Sequence, residues 1–174
     1  ALLSKVFTQL SQEVSARDAQ ASPTARQWLI QDSSLFEALP RMYWALWRRQ
    51  GTAQTQVRLH LSLEMESDSP ARALITSGKK CERAALREQL QPGDGIVADR
   101  YYGEDYKLFK ELEARSAVFV IRLREESLIE VEEELPLTEA DRTAQVIGDA
   151  WVKLGRKGRS QDQRLRVVWV QIEE

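Results

Sequence analysis

The segment from Gly93 to Glu125, GDGIVADRYYGEDYKLFKELEARSAVFVIRLRE, constrains the fold more than any other part of the chain. It begins with a turn and a short apolar strand that ends at Asp99, and residues 104–116 follow as a predicted helix. The helix carries apolar residues along one side, at Tyr106, Phe109 and Leu112. The continuous apolar run in AVFVIRLRE is typical of a strand that is covered on both faces. A strand, a helix and a second strand in this order predict an α/β domain.

Polar and apolar residues alternate most regularly in TQVRLHLSLEME, residues 55–66. The apolar positions are Val57, Leu59, Leu61, Leu63 and Met65. This alternation predicts a strand whose apolar side is buried, so His60 on the other side is expected to be a surface or second-layer residue and not a ligand. A shorter strand upstream leaves the core at Asp32. We expect the two strands to pair antiparallel within one mixed sheet that spans residues 27–124.

The remaining segments fill in the predicted organisation. SPARALITSG and KKCERAALREQLQ are a predicted strand and helix, and RMYWALWRRQG is expected to form one or two helical turns that end at Gly51. The start of the chain has a helical apolar face, formed by Leu3, Val6, Phe7, Leu10 and Val14. After residue 125, SLIEVEE, AQVIGDAWVKLG and LRVVWVQI predict short strands, with a basic hairpin turn, GRKGRSQDQR, between the last two. We therefore expect an α/β core over residues 1–124 and a β-rich addition over residues 125–174.

The composition narrows the class of protein. With 174 residues, of which 43% are hydrophobic and 30% charged, the chain has the size and balance of one globular domain. Its net charge of −2 does not indicate a nucleic-acid binder, although such a protein can confine its positive charge to one face. One cysteine, Cys81, and one histidine, His60, exclude an internal disulfide and the structural zinc motifs, and the cysteine usage fits a reducing compartment. No apolar run approaches the length that spans a membrane.

Asp32 and Asp99 are the candidate metal ligands, because each follows a predicted core strand. Carboxylates held at adjacent strand ends suit Mg²⁺, and two such ions about 4 Å apart can activate a nucleophile and stabilise the leaving oxygen of a phosphodiester. The residues alone leave an ordinary explanation open, in which each aspartate caps a turn. Asp32, which precedes Ser33 and Ser34, fits an Asx turn.

The segment around Asp99 resembles the part of bacterial insertion-sequence transposases that carries their second catalytic aspartate. In that family a strand ends in Ala-Asp-Arg, an aromatic residue and a helix follow, and the next strand contains Phe-Val-x-Arg-Leu. The corresponding residues here are Ala98, Asp99, Arg100, Tyr101, Phe119, Val120, Arg122 and Leu123. LIQDSSLFEALP, which contains Asp32, is similar to the first-aspartate strand, and LREESLIEVEEELPL resembles the start of a β-strand insertion found in one branch of these enzymes. The resemblance covers residues 25–174.

The resemblance implies a DDE transposase with a ribonuclease-H-like fold, an α/β mixed sheet flanked by helices with a β-rich insertion toward the C-terminus. Residues 1–124 would be part of the catalytic core and residues 125–174 part of the insertion. Asp32 and Asp99 would bind two Mg²⁺ or Mn²⁺ ions that activate water to nick transposon ends and then activate the freed 3′-hydroxyl to attack target DNA. The implied partner is DNA, bound by a homodimer of the full-length protein at the nucleoid of the bacterial cytoplasm.

The sequence departs from the family at the third carboxylate, a glutamate on a helix after the insertion in the motif Tyr-x-x-Arg-x-x-x-Glu. No tyrosine of this chain has an arginine three residues later, so we expect a truncated domain with two of the three catalytic carboxylates. Glu173 and Glu174 end a predicted strand and are not assigned to the site. Candidate DNA contacts are basic residues beside Asp99 and in the hairpin turn, namely Arg100, Arg156, Lys157 and Arg159. For each of these four, a solvated surface position is the alternative.

Three functions stay open on the sequence. The first is an enzyme, the catalytic core of a DDE transposase. The second is a catalytically inactive remnant of such a protein that only binds DNA. The third is another ribonuclease-H-like, metal-dependent nuclease, which would need a further acidic residue close to Asp32 and Asp99.

Overall fold

The computed structural model describes residues 26–38, 41–49, 52–155 and 163–171. The predicted N-terminal helix, Gly51 and the tip of the basic hairpin lie outside these ranges. The described residues divide into two compact units, with the boundary between Arg122 and Leu123. None of the described helices is long and apolar enough to span a membrane.

The first unit is built on one mixed sheet. Its strands are β1 (Trp28–Glu37), β2 (Leu46–Arg49), β3 (Thr52–Glu64), β4 (Ser69–Ser77), β5 (Gly95–Ala98) and β6 (Val118–Ile121). Helix α1 (Glu82–Gln89) connects β4 to β5, and helix α2 (Tyr106–Ala114) connects β5 to β6. Short 3-10 helices precede β2 and α2, at Tyr43–Ala45 and Tyr102–Glu104.

The strand pairing confirms the predicted mixed sheet. β1 pairs antiparallel with β3 and parallel with β5, and β5 pairs parallel with β6. β2 and β4 both pair antiparallel with β3. The antiparallel pairing predicted between the strand of Asp32 and the alternating strand is therefore correct, and the α/β sheet with its helices is the predicted ribonuclease-H-like fold.

Helices α1 and α2 pack on the same face of this sheet. The register places Leu29, Ile96 and Phe119 in one row across β1, β5 and β6. Phe119 stacks on Phe109 of α2 with ring centroids 5.2 Å apart, and Leu29 and Ile96 are completely buried. The apolar core of the first unit therefore lies between the helices and this face.

The opposite face is less covered, and this corrects one prediction. Val118 and Val120 of β6 point to that face and are 39% and 60% exposed. The expectation that AVFVIRLRE is covered on both faces is wrong, because in the described residues β6 is an edge strand with helix packing on one side.

The alternation of β3 also has the opposite burial from the predicted one. His60 and Ser62 are buried, whereas Leu59, Leu61 and Leu63 are only half-buried. The polar side is the one that α1 covers, and Arg58, His60 and Ser62 each form at least one side-chain hydrogen bond. Ser62 exchanges hydrogen bonds with Gln31 at 2.8 and 3.0 Å. The expectation of a surface position for His60 is therefore wrong, since its side chain is 4% exposed, and the alternative of a second-layer position stays a prediction.

Two element boundaries differ from the sequence prediction. β1 does not end at Asp32 but continues to Glu37, because β3 continues beside it with Glu37 opposite Gln56. The segment after residue 40 forms a single 3-10 turn and then β2, where helical turns were expected, because β3 offers an edge for residues 46–49 to pair with.

The second unit is a three-stranded antiparallel sheet in the described residues. Its strands are β7 (Ile129–Glu134), β8 (Val146–Leu154) and β9 (Arg164–Val170), with the short helix α3 (Glu139–Thr143) between β7 and β8. β8 lies in the middle, and its residues Ala150, Val152 and Leu154 are buried. The observed strands agree with the three short strands predicted after residue 125.

Candidate active site

Asp32 and Asp99 occupy matching positions on adjacent parallel strands. The last pair of the β1–β5 ladder is Gln31 opposite Ala98. Asp32 follows Gln31 within β1 and Asp99 directly follows the last residue of β5, so the register continued by one residue places them opposite each other. Because side chains alternate between the faces of a sheet, Asp32 of β1 belongs to the face opposite the helices, and the alternation of β5, continued by one residue to Asp99, assigns the second carboxylate to the same face.

Each carboxylate receives a backbone hydrogen bond through one oxygen. Oδ1 of Asp32 accepts from the amide of Ser33 at 2.7 Å, and Oδ1 of Asp99 accepts from the amide of Tyr101 at 3.0 Å. The contact at Asp99 has the spacing of an Asx turn, whereas the Asx turn that the ordinary explanation expects at Asp32 is not formed, because Asp32 lies within β1 and its carboxylate accepts from the next residue. Both aspartates are exposed, and within the described ranges no partner is found for either Oδ2. These backbone contacts orient the carboxylates and leave an acceptor oxygen on each toward solvent.

Tyr102 is a residue of this edge that the sequence did not single out. Its side chain is only 3% exposed. Burial raises the pKa of the Tyr102 phenol well above its usual range, and the negative charges of Glu82, Asp99 and Asp32 raise it further. The phenol therefore stays protonated within electrostatic reach of three carboxylates. In the run DRYYG nothing distinguishes the buried tyrosine from its neighbour.

Two arginines of α1 fasten the turn that follows Asp99. Arg83 donates through Nε to the carbonyl of Tyr101 at 2.8 Å, and its guanidinium lies 4.0 Å from the centroid of the Tyr101 ring. Arg87 donates to the carboxylate of Asp105 at 2.7 Å, at the end of the 3-10 helix. The position of Asp99 is therefore set by α1 as well as by β5.

Glu82, the first residue of α1, contacts β1 next to Asp32. It accepts a hydrogen bond from the Ser33 hydroxyl at 2.7 Å and forms an ion pair with Arg58. Ser33 and Asp32 point to opposite faces, so Glu82 lies on the helix side of the sheet and the two aspartates on the other. Across the residues that the structure describes, no three His, Cys, Asp or Glu side chains are grouped to hold a metal ion. Among the described residues, the site on this face thus consists of the carboxylates of Asp32 and Asp99, and Glu82 lies on the helix side.

Positive charge lies in the same row as the aspartates. The last pair of the β5–β6 ladder is Ala98 opposite Ile121. The amide of the next residue, Arg122, donates to the carbonyl of Ala98 at 3.2 Å, so the same register continues and places Arg122 beside Asp99. Arg100 follows Asp99 directly, and both arginines are exposed. The other predicted DNA contacts lie outside the described residues. They are Arg156, Lys157 and Arg159.

Comparison with known proteins supplies the family. The family model described as the transposase DDE domain matches residues 11–169. Among solved structures, a piggyBac transposase synaptic complex with hairpin DNA, determined by cryo-electron microscopy, has 10% sequence identity and a TM-score of 0.41. That match covers 83% of this chain and 33% of the piggyBac chain, so this chain spans about a third of that transposase's length. No curated protein matches the sequence. On the family match, which extends over most of its residues, the chain belongs to the transposase DDE domain family.

Proposed function

We propose that the chain is part of the catalytic domain of a DNA transposase, in which Asp32 and Asp99 bind Mg²⁺ or Mn²⁺ and the loaded site cuts and joins DNA strands. The observation that carries the proposal is the shared row of the two aspartates at the end of the β1–β5 ladder. Carboxylates in this arrangement can share a cation, and membership of the transposase family makes DNA the substrate to test first.

The donor set suits a hard divalent cation. Mg²⁺ is commonly held by one or two carboxylates, while water and substrate phosphate oxygens complete its coordination shell. A pair of such ions, when bound, activates the attacking oxygen and stabilises the leaving oxygen of a phosphodiester. The chain's own residues hold and orient the ion: Asp32 lies in β1, which pairs with β3 at this level, and Asp99 lies at the start of a turn that α1 contacts. The third carboxylate of the family would join them from elsewhere.

The exposed arginines of the row would bind the DNA backbone. Arg100 and Arg122 lie beside Asp99, where a phosphate that contacts the metal would pass. Arginine at such a position contacts phosphate oxygens and orients the strand without reading its sequence. The basic hairpin would add Arg156, Lys157 and Arg159. The homodimer and the nucleoid location implied by the family resemblance are part of the same proposal.

Calorimetric titration of Mn²⁺ into the 174-residue chain tests the metal site. We expect weak binding, because two carboxylates alone hold the ion, and a loss of at least about tenfold in affinity for Asp32→Ala and for Asp99→Ala. Glu66→Ala is the matched control, since Glu66 is exposed and lies in the turn after β3. Mn²⁺ affinity that is unchanged in Asp99→Ala would contradict the assignment of the site.

A further inference from the structure

Three side chains form a hydrogen-bonded cluster directly behind Asp32. The Ser33 hydroxyl donates to Oε1 of Glu82 at 2.7 Å and accepts from Nη1 of Arg58 at 2.9 Å. Arg58 and Glu82 also form an ion pair, and their side chains are about four-fifths buried, at 22% and 21% exposed. We call Ser33, Arg58 and Glu82 the Ser33 cluster. It joins three elements, because its members come from β1, β3 and the first residue of α1.

The Ser33 cluster is linked to the candidate metal ligand through one backbone group. The amide of Ser33 donates to Oδ1 of Asp32 at 2.7 Å. The same residue therefore orients the carboxylate with its amide on one side of the strand and is anchored by its hydroxyl on the other. The β1–β5 ladder ends at Gln31, so at the level of Ser33 none of the described strands pairs with this edge of β1. An anchor is needed here if the carboxylate is to keep one orientation.

We propose that the Ser33 cluster is a positioning device that holds the Asp32 carboxylate in its metal-binding orientation. This inference rests on the proposed function, since it assigns the cluster a role toward the ion that Asp32 would hold. Ser33, Arg58 and Glu82 do not touch the ion. They act through the Ser33 amide, from the helix side of the sheet, on a carboxylate presented on the opposite face. Partners that orient a ligand in this way have large effects on metal affinity.

The hydroxyl of Ser33 can be removed without removing the Arg58–Glu82 pair or the Ser33 amide. We expect Ser33→Ala to weaken Mn²⁺ binding about tenfold, measured by electron paramagnetic resonance of free Mn²⁺ on the full chain. Ser33→Thr keeps the hydroxyl and should restore the affinity. Ser34→Ala is the matched control, because Ser34 is the next residue of β1, exposed on the other face. Its affinity should stay within about twofold of the original chain, a change too small for a lost outer-shell contact.

A second measurement does not depend on metal. Hydrogen exchange of the Ser33 amide in the metal-free chain should become about tenfold faster in Glu82→Gln if the cluster keeps the amide on Asp32. Glu88→Gln is the control for this helix, since Glu88 pairs with Lys80 and is 55% exposed. The Ser33 amide should exchange at an unchanged rate in that variant.

The two measurements separate failure of this inference from failure of the proposed function. Mn²⁺ binding that does not depend on Asp32 would end the proposed function, and the exchange rate of the Ser33 amide would still decide whether the cluster orients Asp32. Asp32-dependent binding that is unchanged in Ser33→Ala would overturn the positioning role. Ser33→Ala could instead lower both the Mn²⁺ affinity and the melting temperature, with neither restored in Ser33→Thr. That result would also overturn the positioning role, in favour of a purely structural one.

Discussion

His60 shows at the scale of one residue how packing decides what alternation alone cannot. Its Nε2 lies 3.0 Å from the Thr76 hydroxyl, which itself donates to the carbonyl of Ser77 at 3.1 Å. The hydroxyl oxygen is therefore the acceptor, and the proton of a neutral imidazole sits on Nε2. Nδ1 is buried and has no hydrogen-bond partner among the residues that the structure describes. A charged imidazole would carry a proton on Nδ1 as well and would leave that buried donor without an acceptor, so the fold favours the neutral ring.

Burial, and then the positive charges of Arg58 and Lys80, lower the pKa of His60 from 6.5 to about 4, while Glu88 acts in the opposite direction. Between these values the unfolded chain binds a proton that the folded chain excludes. The contribution of the neutral His60 to the free energy of unfolding is therefore complete above the pKa of the unfolded chain, 6.5. It is lost as the pH falls toward the pKa of the folded chain, about 4.

We expect the free energy of unfolding to fall by about 2 kcal/mol from this group alone between about pH 7.5 and about pH 5. Urea unfolding of the original chain and of His60→Gln at both pH values measures it. The variant should lose less stability on acidification than the original chain by about that amount. Equal losses in the two proteins would show that the folded state does not exclude the proton from His60.

At the scale of elements, an ion pair fastens α1 and β5 to β4. Arg72 of β4 donates to both carboxylate oxygens of Asp94, at 2.6 and 2.9 Å, and to the carbonyl of Gln89 at 3.0 Å. Asp94 also accepts from the amide of Gln91 at 2.8 Å and is 6% exposed. The guanidinium of Arg72, whose side chain is 17% exposed, thus binds the polar groups of the turn between α1 and β5.

Asp94→Asn should lower the free energy of unfolding by about 3 kcal/mol, because it leaves the Arg72 guanidinium buried without a counter-charge. Urea unfolding measures the change. Glu88→Gln is the control, since the Lys80–Glu88 pair is more exposed and should contribute less than about 1 kcal/mol. A double variant that also carries Arg72→Met should recover part of the loss, since both charges are then gone. No recovery would place the cost in the turn itself and not in the unpaired arginine.

The elements were predictable where periodicity and side-chain chemistry agreed. The strand–helix–strand unit around Asp99 and the three strands after residue 125 follow from local sequence alone. The end of β1 could not be predicted from local sequence. A polar residue such as Asp32 commonly ends a strand, but here the pairing with β3 continues β1 to Glu37. The buried side of β3 was missed for a related reason, since it depends on which face α1 covers.

The candidate site was predictable only in part. Asp32 and Asp99 stand out in the sequence through resemblance, and their shared row depends on a register that no single strand encodes. Glu82 and Arg58 lie far from Asp32 in the sequence and meet Ser33 only when α1 packs on the sheet. Arg122 was visible as part of a motif, and its place beside Asp99 follows from the parallel ladder. Contacts between elements are the information that local patterns lack.

At the scale of the whole molecule, the two compact units divide the chemistry. The first unit, up to Arg122, contains both candidate carboxylates. The second unit, from Leu123, contains β8 and β9, the two strands that the basic hairpin turn connects. The assignment of a catalytic core to residues 1–124 and an insertion to residues 125–174 stays a prediction, because compactness does not reveal catalysis.

The last prediction concerns activity of the chain as it stands. Two-metal chemistry needs ligands that fix both ions around the scissile phosphate, and loss of a positioning group costs orders of magnitude in rate. We therefore expect the 174-residue chain to bind DNA weakly, with strong salt dependence, and to perform no strand transfer. A longer polypeptide that adds a helix with the Tyr-x-x-Arg-x-x-x-Glu motif should be active. A labelled transposon end, incubated with Mn²⁺ and each polypeptide, gives the comparison, with Asp32→Ala in both as the control. Nicking by the 174-residue chain that disappears in Asp32→Ala would show that a third ligand lies within these residues.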